Sequence, residues 1–205
     1  VPTLYEALAW TMDEPGPSRS YVFRDGDEVL ANAARVPVQR QDQGSSVPYA
    51  DPHAQYDETR VVVCVAAPDG SPYFYVDRTN DPMRPQPAFV VAAAGGLIGS
   101  IAVATGGVKG VFSLMSGKSG GRYTLLDAQQ RPLATLTGPG LRDPKAEGAV
   151  TDASGTEIAR VATDVSPYND RRRRRSMRVH QPLPEPLHTL VLASLVGVEL
   201  MTPAT

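Results

Sequence analysis

Cysteine is almost missing from this chain. The single Cys64 excludes an internal disulfide and fits a reducing compartment. It lies in the apolar run Val61 to Val65, where a thiol serves as a small buried hydrophobe. Lysine is scarce too: Lys109, Lys118 and Lys145 are the only ones, so arginine carries most of the positive charge. No hydrophobic run reaches the roughly 20 residues that a membrane-spanning helix needs. Val1 to Trp10 lacks a basic start and a long apolar core, so no signal peptide is expected and a cytoplasmic bacterial protein is the default. A net charge of −2 gives no global pull toward nucleic acid or acidic membrane.

Chemical motifs are equally sparse. His53, His180 and His188 have no second His, Cys or carboxylate at ligand spacing, so no metal site is expected. Each has a structural place instead: His53 in a polar linker, His180 at the end of the last strand and His188 in the first turn of a helix. Ser116-Gly117-Lys118-Ser119 looks like the end of a phosphate-binding loop, but Phe112 occupies the position of the first required glycine. Ala94 to Gly99 follows an apolar run as a dinucleotide turn would. Gly106-Gly107 then interrupts the helix that should follow, and no acidic residue stands at the expected distance. There is no strand–turn–helix nucleophile elbow. The expectation is a protein that is not an enzyme and takes no cofactor.

What the chain does have is punctuation. Nineteen prolines and eighteen glycines divide a 41% hydrophobic sequence into short pieces, as all-β architecture requires. Leu126 to Leu136 and Thr151 to Val161 share one shape: a strand end, an Asp-centred turn, and a new strand alternating apolar with polar. Tyr21 to Leu30, Val63 to Val76 and Phe89 to Ile101 repeat it, with Asp-Gly or Gly-Gly supplying the positive φ of tight hairpins. Repeated hairpins make a meander of about twelve strands, the first near 20–25, one near 108–115 and the last near 176–181. Residues 39–58 form a long polar linker.

The exception is Leu187 to Met201, a helix candidate that is apolar on nearly every side. Such a helix must be enclosed by the strands or placed in a membrane. Its fifteen residues, broken by His188, Thr189, Ser194 and Glu199, fall short of a span, so enclosure is expected. Pro186 would occupy its first turn. A meander of this size leaves two edges unless it closes, and the closed barrel has a lumen too wide for its own side chains. The helix fills it. Residues 1–205 are therefore read as one domain, a closed antiparallel barrel with a C-terminal helix through its centre.

With Tyr123 to Ala128, Gly148 to Val161 and Leu183-Pro184-Glu185-Pro186-Leu187, the chain resembles the tubby C-terminal-like superfamily, which includes phospholipid scramblases and LURP-one-related proteins. The last segment is similar to the point where that family's final strand hands over to its central helix. The resemblance implies a bacterial member of unassigned role. The cysteine cluster and proline-rich arm of animal scramblases are lacking. Asp77 to Asp81 has alternating oxygens but not the glycine and terminal glutamate of a calcium loop.

One charged feature stands out. Arg171 to Arg175, followed by Arg178, is read as a solvated loop because five adjacent like charges resist burial. Guanidinium grips phosphate bidentately, so an anionic surface is the expected partner, with membrane lipid ahead of nucleic acid and no protein partner identifiable. Alternating loops would place Lys118 and Arg122, Arg142 and Lys145, and the arginine run at one barrel end. The same count puts Asp25, Asp27, Glu28 and Asp69 there, giving a rim half basic and half acidic. These basic residues, with Arg178, form the candidate lipid- or anion-binding site of a protein peripheral to the inner face of the membrane. As an exposed loop, all five arginines should tolerate exchange for serine without loss of folding. The alternative is a barrel binding a small ligand or a protein, in which the arginine run is incidental.

Overall fold

The computed structural model describes residues 3–14, 19–36, 60–79, 86–104, 121–138, 147–166 and 169–201, the side chains of 166 and 169–173 excepted. Alternation of buried and exposed positions builds twelve strands: β1 (Ala9–Asp13), β2 (Tyr21–Asp25), β3 (Glu28–Val36), β4 (Arg60–Ala66), β5 (Pro72–Thr79), β6 (Ala88–Ala92), β7 (Leu97–Val103), β8 (Arg122–Asp127), β9 (Pro132–Thr137), β10 (Glu147–Asp152), β11 (Glu157–Ser166) and β12 (Asn169–Val179). Each pairs antiparallel with its sequence neighbours, and β1 pairs with both β2 and β12 to close the barrel. Closure leaves no strand edge unpaired.

Two differences from the sequence reading bear on function. β1 was not anticipated, because five residues without a flanking hairpin turn give no local signal; its partner β12 lies far along the chain. The expected strand at 108–115 and the linker at 39–58 lie outside the described residues. β7 pairs directly with β8, Val103 opposite Tyr123.

The tight turns follow the internal repeat. Asp152 Oδ1 accepts the Ser154 and Thr156 amides at 2.8 and 2.9 Å, and Asp127 Oδ1 accepts those of Gln129 and Arg131 at 2.9 Å each. Gly155 then takes a φ of 87°, a left-handed conformation that a Cβ penalises. Gly155→Ala is expected to lower stability by about 1–2 kcal/mol. The urea unfolding midpoint measures it, and an unchanged midpoint would contradict this role for the glycine.

Helix α1 (Leu187–Met201) runs through the barrel, with Leu190, Val191, Leu192, Leu195, Val196 and Val198 all buried. Pro186 precedes the helix, after a cis Glu185–Pro186 bond, and does not fill its first turn. The first turn is held by the Thr189 hydroxyl, which donates to Glu185 at 2.8 Å and lies 3.0 Å from Tyr5 Oη. His188 packs edge-on against Tyr5, where burial pushes its imidazole pKa down. α1 packs closest to β7 and β6, where a Cβ on Gly197 would stand 2.6 Å from Ile101 Cδ1. The bulky Trp10, Met12, Phe23, Leu30 and Met177 fill the wider opposite side. Among the described residues, no helix is long and apolar enough to cross a membrane.

Candidate functional site

The barrel's two ends differ in kind. One carries the tight turns and their acids: Asp25, Asp27, Glu28, Asp69, Asp127 and Asp152. The Ser154 hydroxyl and the Thr156 amide hold the Asp152 carboxyl below its usual value, so it stays charged. The other end, here the mouth, receives the C-terminus of α1 and the longer connections, and β12 enters there. This corrects the expected rim of mixed charge. The direct antiparallel pairing of β7 with β8 puts the acidic turns at the end opposite the arginine run.

The run itself is not a loop. Arg171 to Arg175 belong to β12, where alternation sends neighbouring side chains to opposite faces. Arg174 makes a bidentate ion pair with Asp13, Nε to Oδ1 at 3.0 Å and Nη2 to Oδ2 at 2.9 Å. Arg175 turns inward, is only 4% exposed, and donates through Nε to Glu199 on α1. Both are thus structural, and the expectation that all five arginines could become serine harmlessly fails for these two. Charges that resist burial alone are accommodated once paired.

The other predicted residues scatter. Arg122 is exposed where β8 starts, at the mouth. Arg178 lies on the outer wall, beyond the mouth-proximal half of β12, opposite Ala9 and Arg160. Lys118, Arg142 and Lys145 lie outside the described residues, as do the side chains of Arg171, Arg172 and Arg173.

Around Glu199 the structure assembles a polar chamber that sequence reasoning missed. Arg78, near the end of β5, donates through Nη1 to the Leu200 carbonyl and so caps α1. A cation at a helix C-terminus offsets the negative end of the dipole. Arg19, at a φ of 55°, precedes β2 and has its Nη1 shielded from solvent without a partner. Thr163, register partner of Arg175, is 4% exposed and its hydroxyl also has no partner. Tyr21 and Tyr123 are buried beside them. Burial pushes both phenol pKa values up, and Glu199 adds to each rise, so both stay neutral. Burial, then the neighbouring Arg19, pulls the Arg78 pKa down.

Arg175 thus holds the helix carboxylate, Arg78 caps the helix end and Arg19 neighbours Arg78 and Tyr21, with hydrogen-bonding capacity left over at Arg19 and Thr163. That set suits an oxyanion. The available signal was Glu199, a carboxylate in an otherwise apolar helix, which demands a cation from the surrounding wall. His180 and His188 stand at the opposite end, Cys64 shares a hydrogen bond with Tyr75, and His53 is outside the described residues. Among the described residues, no group of three His, Cys, Asp or Glu side chains could hold a metal ion. Comparison with protein families, curated proteins and solved structures finds no match.

Proposed function

We propose that this chain is a non-catalytic, tubby-like barrel that attaches reversibly to anionic phospholipid through its mouth. The observation that carries this reading is the end-to-end separation of charge: acidic turns at one end, the arginine-rich start of β12 and the chamber at the other. Such a molecule orients in the field of an anionic surface, mouth inward and turns away. Arg174 and Arg175 are committed to Asp13 and Glu199, which leaves Arg171, Arg172 and Arg173 as the members of the run assigned to lipid. Each arginine near an anionic leaflet contributes about 1 kcal/mol, enough in sum for peripheral attachment. The closed barrel around an apolar helix also agrees with the family resemblance.

Co-sedimentation with phosphatidylcholine vesicles, with and without phosphatidylserine, tests it. The protein is expected to pellet with phosphatidylserine vesicles only, and release should follow a rise in salt. Changing Arg171, Arg172 and Arg173 together to serine should abolish pelleting and preserve the thermal melt. Equal pelleting by that variant, or by neutral vesicles, rejects the reading. Stronger retention on nucleic acid than on vesicles would name a different anionic partner.

A further inference from the structure

The outer wall carries a hollow separate from the mouth. Strand register puts Glu147, Ala162, Ser176, Thr11 and Arg24 in one row across β10, β11, β12, β1 and β2. The next row toward the tight turns holds Arg160, Arg178 and Ala9. Outward-facing residues in a row share one face, so Ala162, Ser176, Thr11 and Ala9 form a low floor between taller side chains. The resulting concavity has a volume of about 650 Å³. Small-molecule sites span roughly 300–1,000 Å³.

Charge around the hollow is only partly matched. Arg160 and Arg178 are direct cross-strand partners, a costly placement for like charges. Arg160 is committed to Glu157 at 3.0 Å and lies 3.9 Å from Glu147. His180 shares Glu157, at 3.0 Å. Arg178 has no hydrogen bond or ion pair among the described residues. Across β1, Arg24 donates through Nη1 to the Asp27 carbonyl at 3.2 Å, while its Nε is shielded from solvent and has no partner. The remaining carboxylate at the hollow, Asp25, is exposed at the end of β2 at its edge. Two guanidiniums with unused donors thus bracket the short side chains of β1.

We infer that this hollow binds a small organic anion. Its carboxylate or phosphate is held between Arg24 and Arg178, with the Ser176 hydroxyl in reach of the same floor and a compact apolar body over Ala9 and Ala162. The inference is independent of the lipid reading, since none of these residues belongs to the mouth.

Isothermal titration with phenyl phosphate and with benzoate tests it. Saturable binding of at least one probe is expected. Arg178→Gln should weaken it about tenfold, the loss of one charge-assisted contact. Its thermal melt should not move, because the Arg178 side chain makes no hydrogen bond or ion pair among the described residues. Arg24→Gln should act similarly, and Arg122→Gln, at the mouth, should leave binding unchanged. The inference is overturned if neither probe binds, if both hollow variants bind as wild type does, or if Arg122→Gln weakens binding as much. Binding of an acidic peptide through Arg24 and Arg178, with no binding of either small anion, also overturns it in favour of a protein partner.

Discussion

Replacing Leu195 by aspartate is expected to leave no folded protein. Leu195 sits mid-helix and is 1% exposed, surrounded by the barrel wall. A carboxylate there has neither water nor a cationic partner, since the chamber arginines lie at the mouth. The cost of an unpaired buried charge runs to several kcal/mol or more, comparable to the entire stability of a domain, roughly 5–15 kcal/mol. Far-UV circular dichroism and soluble yield provide the readout. Leu195→Ala, which removes packing but adds no charge, should fold with a loss of about 2–5 kcal/mol. A soluble aspartate variant with native spectra and melting would mean that α1 is not held inside the barrel.

Cutting the link between α1 and the wall should be the next most damaging change. Arg175→Met deletes the guanidinium paired with Glu199 and leaves the carboxylate among buried tyrosines. Removing one member of a buried pair typically costs about 3–5 kcal/mol, and the partial exposure of Glu199 points to the lower figure. Restoring balance should restore stability: in Arg175→Met with Glu199→Leu, neither charge remains unsatisfied. Urea unfolding of the wild type, both single variants and the double variant closes a thermodynamic cycle. Strictly additive losses would show that the two side chains do not support each other.

The barrel and its helix were legible because local and global signals agree. Alternation of period two, Asp-centred turns and a fifteen-residue apolar run each have one economical solution, and the solutions fit one another. The arginine run was not legible. Five consecutive arginines say "solvated" by composition, yet strand or loop was decided by Asp13 and Glu199, neither of them near in sequence. β1 escaped for the same reason: its partner strand is almost a whole chain away. The direct pairing of β7 with β8 then shifts the expected place of the acidic turns to the other end, because in a meander every later loop inherits the parity of the count. The chamber's Arg19, Arg78 and Thr163 carry no sequence signal of their own, being ordinary polar residues at strand ends. Glu199 was the readable clue.

Closure through β1 also has a consequence for how the chain acquires its structure during synthesis. Ala9 cannot meet Arg178 until β12 has left the ribosome, and α1 follows later still. Every hairpin between them can form as it emerges, but its inward face has nothing to pack against until Leu187 to Met201 arrives. Contacts of such long sequence separation slow folding, and open apolar sheets invite association with other chains meanwhile. The helix is therefore a late-arriving template, and the nascent barrel passes through a long interval as a sticky, open sheet that a chaperone would recognise.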